Sequence, residues 1–484
     1  MITTVGNGQS LRGKTGQRLA LAGLALYVAF APHSVAASAI GVAIAGIGWV
    51  IRTLQTRNLG LRWSKFDLII VLSLLWTVAS AFLSEEPRIS VAKLQASWCV
   101  FLFYLARATL TRKSALVLVG LLIVSGSAGA LYSAFDLVRG RGVVVESIAD
   151  GSPFNHVGIR PGDTIWQINR RRVYSTGDID QALAELSPVA PGVTVGIISQ
   201  GEQVERSFML AQPSGSGVTG NERNHRFRAS GWTRHYVTFA ELMQMIALLA
   251  IGLALAHLRN HGPNNNFRVA IVAAALLTAG LVFTAMRTVI VAFVIGASVM
   301  ALRSLRATLK VVFTFALVAV LAFGAVVVWQ TRDRNALLLG DPSSSLRFEV
   351  ARVGLSRILL HPVFGHGMDA MQLHWNEWGF PGKDMLHLHS TPLQLAFDRG
   401  LPMLALWVWM MILFWLTIAR AERRAADLSD TNYYGIQLGT LGALTGFLMS
   451  SIVNYNYGDA EVAMLFWFLM GMALTTDYAD SSPA

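Results

Sequence analysis

The sequence is short of charge. Asp, Glu, Lys and Arg make up 14% of its 484 residues, where a soluble domain carries roughly 25%. With 54% hydrophobic residues, that deficit excludes an ordinary water-soluble globule and points to an integral membrane protein. Cysteine is nearly missing: Cys99 alone excludes an internal disulfide and leaves the redox compartment open. No His-Glu-x-x-His occurs, which excludes the zinc helix that an intramembrane metalloprotease needs. Acidic residues are scarcer than basic ones, 28 against 39, a net charge of +11. Nucleic acid is not needed to explain this excess. Positive-inside loops account for most of it, and anionic lipid or phosphate substrates for the rest.

Apolar runs of about 20 residues, the length that crosses a bilayer, are abundant. About twelve spans are expected, near 18–32, 34–51, 66–83, 91–110, 114–137, 236–257, 269–285, 287–302, 309–329, 392–418, 434–453 and 460–476. "RLALAGLALYVAFAP" is followed by further runs, so it reads as a first span and not a cleaved signal. Each even-numbered span from the second to the tenth ends at a basic loop, for example Arg52 and Arg57, Arg112 and Lys113, or Arg420 and Arg423. That asymmetry puts both termini in the cytoplasm. Two long segments, 138–235 and 330–391, then emerge on the outer side. The expected organisation is 1–138 for spans one to five, 139–213 for a small outer domain and 214–235 for a flexible linker. Spans six to nine follow at 236–329, an outer loop at 330–391, and spans ten to twelve at 392–484.

Within the first outer segment, "GVVVESIADGSPFNHVGIRPGDTIWQINRRRV" alternates like a strand, turns, and alternates again. "GDIDQALAEL" follows as a short helix and "VTVGIISQGEQVERSFML" as a hairpin. Over about 140–211 this resembles a bacterial PDZ domain. The resemblance implies peptide binding by strand addition, with backbone N–H groups holding a terminal carboxylate. Arg139 to Gly142 is the expected carboxylate loop. The alternative is a spacer without a working groove.

Three positions stand out chemically. Arg287 interrupts an apolar run over 269–302 that must cross twice, so the turn lies near Thr284 to Thr288. An arginine there is either functional or snorkels to the outer headgroups. Arg347 lies on "SSSLRFEVARVGLSRILLHP", where Leu346, Val350 and Val353 mark an amphipathic helix stopped by Pro362. "HLHSTPLQ" places His387 and His389 at the mouth of the tenth span. Five of 11 histidines fall between 361 and 389. A metal is not expected at His387 and His389, since no carboxylate stands at regular spacing with them. A neutral histidine suits proton abstraction from a hydroxyl, and for most of the five the plain reading is a loop residue.

"HSTPLQLAFDRG", "FTAMRTV", "SSLRFEVARVGLSRILLHPVFGHGMD" and "RASGWTRHYVTFAELM" resemble, in turn, four segments of the O-antigen ligase and polymerase family, over about 225–415. These are its His-Asn-x-x-Leu-Gln signature, its outer-end arginine, its Arg-helix-Pro-x-x-Gly-x-Gly segment and the entry to its middle spans. Ser390 stands where the family has Asn, and "AMRT" departs from small-Ser-Arg. The resemblance implies an all-α polytopic GT-C-type glycosyltransferase of the bacterial inner membrane. The PDZ-like insert, small, α/β and mostly β, and a helical loop would both be periplasmic. It implies a donor glycan on undecaprenyl diphosphate, transferred with inversion and without metal or other cofactor. His389 carries over as catalytic base, and Arg287 and Arg347 as a diphosphate clamp. Arg228, Tyr236 and Gln394 follow as substrate-binding candidates. Ligase, polymerase and protein O-oligosaccharyltransferase share this chemistry, so the acceptor could be lipid, saccharide or protein. The PDZ-like domain could recruit a peptide or protein. A transporter or non-catalytic scaffold displaying that domain is the reading from another class.

Overall fold

The computed structural model describes residues 13–169, 171–185, 192–199, 202–209, 215–305, 342–382, 387–428 and 430–478. They fall into two compact units. One comprises 1–130, 230–282 and 286–484, the other 131–229 and 283–285.

Among the described residues eight helices are long and apolar enough to cross a membrane: Val35–Thr56, Lys65–Leu83, Pro87–Thr109, Arg112–Arg139, Tyr236–His261, Asn265–Phe283, Arg287–Ser304 and Thr391–Asp427. The chain is therefore a multi-pass membrane protein. The described residues do not confirm the expected count of about twelve. Lys14–Phe30 has only 17 residues, and the apolar part of the last helix is Ala460–Thr475. The expected span at 309–329 lies outside the described residues.

Thr431–Ser451 is also a full-length helix, but Gln437, Thr440 and Thr445 lower its apolarity and its glycines serve packing instead. A Cβ on Gly252 would lie 2.5 Å from Gly439 Cα, and one on Gly296 would lie 2.6 Å from the Gly442 carbonyl oxygen. Backbone therefore meets backbone, bringing Thr431–Ser451 against Tyr236–His261 and Arg287–Ser304. Small residues do this in membranes because lipid offers no hydrophobic drive for helix association.

The turn expected near Thr284 to Thr288 is present. Asn265–Phe283 ends, Ala285 takes φ +51°, and the next helix starts at Arg287. The Thr391–Asp427 helix is broken at Gly400 (φ +79°) ahead of Pro402. Pro402 has no N–H for the Asp398 carbonyl, and Leu401 N donates to Pro362 O (2.8 Å) instead of to Phe397. The two freed carbonyls are satisfied by the loop at 361–367. His366 N donates to Phe397 O (2.8 Å) and Gly367 N to Asp398 O (3.1 Å). This is how broken helices are tolerated at membrane depth. An apolar cluster of Val350, Ile358, Trp375, Trp378, Leu388 and Phe397 holds the same loop region together.

The second unit has an antiparallel sheet in the order Val143–Val144, Thr164–Ile168, Gly192–Ser199, Glu202–Met209. Its helix, Thr176–Ala184, begins at a Ser175–Asp178 capping box, and Phe154, Ile165, Ile179 and Val195 fill the core. The insert thus has the expected strand–helix–hairpin order.

Two expectations differ from what is seen. The flexible linker at 214–235 is in part a strand: Val218–Thr219 pairs with Ser147–Ile148. Val144 N also donates to Glu222 O (2.8 Å), and Ser216 N to Asp180 Oδ1 (2.7 Å). An open strand edge with unpaired N–H and C=O groups recruits whatever chain is nearest, which here is the protein's own. The Arg139–Gly142 segment does not form an open carboxylate loop. Gly140 N donates to Asp136 O and Arg141 N to Asn224 O, while the buried Arg141 guanidinium pairs with Asp136 at 2.6 Å.

Candidate active site

The site grows from the mouth of the Thr391–Asp427 helix. Ser390 is its N-cap and accepts from Leu393 N at 3.5 Å. His389, one residue earlier, has φ +53°, a left-handed conformation that costs a non-glycine residue about 1–3 kcal/mol. Such strain persists only where the surroundings over-determine it. Here Leu388 N donates to Gln394 Oε1 (2.7 Å) and Gln394 Nε2 to Asp398 Oδ1 (2.8 Å). Thr391 donates twice, through N and Oγ1, to the Asn454 carbonyl (3.1 Å each).

The His387 and His389 rings are 4.5 Å apart, and His387 lies edge-on to Tyr455 at 5.4 Å. Burial pushes His389 down to about 3, with His387, Arg347 and His235 adding in that order. Burial also pushes His387 down to about 4, helped by Arg347 and His235 and opposed by Asp369. Both imidazoles are therefore uncharged at neutral pH, with lone pairs available. Arg347 is half-buried on the Pro342–Ile358 helix and is the cation common to both histidines.

The turn at Arg287 is tied to this region through the residue that follows it. Arg287 opens the Arg287–Ser304 helix, and the next residue, Thr288, accepts from Asn454 Nδ2 (3.3 Å). Asn454 is the residue whose carbonyl holds Thr391. Its amide also lies 3.0 Å from Ser450 Oγ and 3.3 Å from Glu241 Oε1. One asparagine thus ties the starts of two helices to a buried carboxylate. Tyr236 is buried and its ring stacks on His235 at 4.6 Å.

The structure therefore brings together Arg347, His387 and His389, with His235 as a further neighbour and the Arg287 turn fastened alongside. Gln394, expected as a substrate contact, is buried, with its amide oxygen accepting from Leu388 N and its amide nitrogen donating to Asp398 Oδ1. Arg228 belongs to the second unit, where its carbonyl accepts from Gln203 Nε2 (3.4 Å). His235 was missed, although it directly precedes Tyr236. Its signal was its place as helix N-cap, with Nδ1 accepting from Val237 N.

A cavity of about 200 Å³ is lined by polar side chains that include Lys93, Asp369, Asp398, Arg399 and Tyr455 and by apolar ones that include Ile70, Met403 and Trp467. Lys93 and Asp369, both on its lining, are ion-paired.

Residues 272–408 match the O-antigen ligase family and residues 144–189 match the PDZ domain. The chain carries an O-antigen ligase family domain. That domain contains Arg287, Arg347, His389 and Gln394; Tyr236 and His235 lie upstream of the matched residues. An 80-residue stretch is 31% identical to the magnetosome formation protease MamE of Magnetospirillum gryphiswaldense, covering 16% of this chain and 10% of that protein. The chain thus spans about a tenth of that relative's length.

Proposed function

We propose that the chain is a glycosyltransferase of the bacterial inner membrane, of the O-antigen ligase or polymerase type. It would move a glycan from undecaprenyl diphosphate to an acceptor hydroxyl on the periplasmic face, with both termini cytoplasmic. The observation that carries the reading is His389, an uncharged imidazole held in a strained left-handed conformation beside Arg347 at the mouth of a span. In the step, the acceptor oxygen bonds to the anomeric carbon as the bond to the diphosphate oxygen breaks. The leaving diphosphate takes the electron pair, and the hydroxyl proton passes to His389. Attack opposite the leaving group inverts the anomeric centre. Arg347 and Arg287 would bind the diphosphate oxygens by charge-assisted hydrogen bonds, where negative charge grows in the transition state. No metal is needed for this route.

A base with a pKa near 3 is weak, because the best catalytic pKa lies near the working pH. A diphosphate against Arg347 would oppose the guanidinium field and relieve that smaller part of the shift, while burial, its largest cause, would remain.

The test is His389→Ala in the native host. The expected result is loss of mature surface polymer with accumulation of the undecaprenyl-linked precursor. Unchanged polymer from a normally inserted variant would overturn the assignment. The PDZ domain favours a second reading, transfer to a protein acceptor recruited by the insert. In that case, removing the insert abolishes glycosylation of exported protein.

A further inference from the structure

A second cluster of polar side chains lies outside the set assigned to glycosyl transfer. Glu85 sits in the turn between Lys65–Leu83 and Pro87–Lys93. Its Oε2 makes a close contact with His366 Nδ1 and lies 3.7 Å from His361 Nε2. The two imidazole rings are 4.6 Å apart, and the three donor atoms lie within 4.8 Å of one another. For tetrahedral zinc at about 2.0–2.2 Å from each ligand, donor atoms stand about 3.3–3.6 Å apart. The half-exposed Glu85 and His361 side chains can adjust to that spacing, while His366 is fixed. It is 1% exposed, with Phe397 and Trp378 ring centres 4.6 and 4.7 Å away.

The hydrogen-bond pattern around His366 decides what the cluster can hold. Its Nε2 lies 2.9 Å from the Arg357 carbonyl oxygen. A carbonyl only accepts, so Nε2 carries a hydrogen. In the neutral ring the Nδ1 lone pair then points at the Glu85 carboxylate, which is also an acceptor. In the close contact seen, only a proton fits between the two facing acceptors; a metal ion fits once the Glu85 side chain swings back to the wider spacing that zinc needs. A proton would satisfy His366 alone. His361, turning a second ring nitrogen to the same oxygen, favours the metal. A histidine whose other N–H is held by a backbone carbonyl is the usual arrangement around a bound metal, since it fixes tautomer and ring orientation.

We propose that Glu85, His361 and His366 form a binding site for a divalent transition-metal ion, with zinc as the natural occupant of two imidazoles and one carboxylate. Water completes the coordination. The role is structural. The ion joins the turn at Glu85 to the 361–367 loop, whose backbone satisfies the broken Thr391–Asp427 helix, and it takes no part in chemistry at His389. Glu86 N already donates to His366 O (3.1 Å), so the two segments are in register for the bridge.

The test uses full-length protein in detergent, stripped with a chelator and titrated with Zn²⁺ alone against a chromophoric competitor. The expected result is one ion per chain, with affinity reduced at least tenfold in Glu85→Gln and in His361→Ala. Both replaced side chains are partly exposed, so these variants should fold. His374→Ala should bind Zn²⁺ as the parent does, because His374 pairs separately with Glu86 and Glu377. His389→Ala should also bind normally. Absence of stoichiometric zinc would overturn the proposal and leave a His366–Glu85 ion pair. So would unchanged affinity in Glu85→Gln and His361→Ala, or loss of binding in His389→Ala or His374→Ala. The readout is zinc binding, so the outcome is independent of the glycosyltransferase reading.

Discussion

Replacing Gln394 with leucine separates positioning from substrate contact. The amide holds Leu388 N at 2.7 Å and Asp398 Oδ1 at 2.8 Å, and all three residues are buried. Leucine is close in volume but offers neither bond. Each orphaned buried group costs about 1–3 kcal/mol, so the pair exposes about 2–6 kcal/mol of local destabilisation. Leu388 is the residue before His389, so this energy bears directly on the strained left-handed backbone. If about 1.4 kcal/mol of it goes into losing that conformation, the rate falls tenfold. The assay is single-substrate transfer kinetics on purified, correctly inserted protein with a lipid-linked glycan donor. The expected outcome for Gln394→Leu is a kcat at least tenfold lower with KM within about threefold of the parent. Gln394→Glu keeps the acceptor for Leu388 but sets a second acid against Asp398, so its kcat should fall between the two. A tenfold rise in KM with kcat preserved would show a substrate contact and refute the positioning argument. Unchanged kinetics would show that the loop is held by other means.

Three further outcomes are expected. The His389 pKa is lowered, so the folded site refuses protons that an unfolded chain takes up below about 6.5. Stability should therefore decline as pH falls from about 6.5 toward 3, and histidine ring NMR should show Arg347→Gln shifting both His387 and His389 titrations upward; an unchanged titration would refute the coupling to Arg347. Ser390→Asn should retain activity because asparagine caps helices as well as serine, whereas Ser390→Ala should lose about 1 kcal/mol in thermal unfolding. Gly252→Leu puts a side chain where Gly439 backbone lies 2.5 Å away; folded yield after detergent extraction should drop severely, and parental yield and melting would contradict the close helix contact.

Much of this architecture could be read from local sequence. The turn before Arg287, the amphipathic helix carrying Arg347, the PDZ strand–helix–hairpin order and the start of the helix after His389 all follow from periodicity, caps and breakers within a few residues. What could not be read depends on distant partners. Ser450 binds Glu241 from 209 positions away, and Asn454 joins Thr288 to Thr391. Nothing near Gln394 indicates that its amide is consumed by Leu388 and Asp398. His235 looks like an ordinary helix cap until Tyr236–His261 is placed beside the His387 loop. The linker at 214–235 was misread for a related reason. Its Gly/Ser composition is that of a free chain, and only the edge at residues 144–149 reveals its strand.

The paired hydrogen bonds between Arg141 and Asn224 have a practical consequence. They clasp the chain where it enters the insert and where it leaves, so 82 intervening residues, 142–223, form a loop closed at its neck. Domains with adjacent ends can be removed or exchanged with little disturbance to their host. A clean excision should therefore join Arg141 to Asn224. Cutting at the ends of the recognisable PDZ pattern instead would leave 218–222 as a stranded β-segment without its partner edge. The same clasp gives a ready graft point, where a foreign domain with neighbouring termini could be carried on this membrane frame.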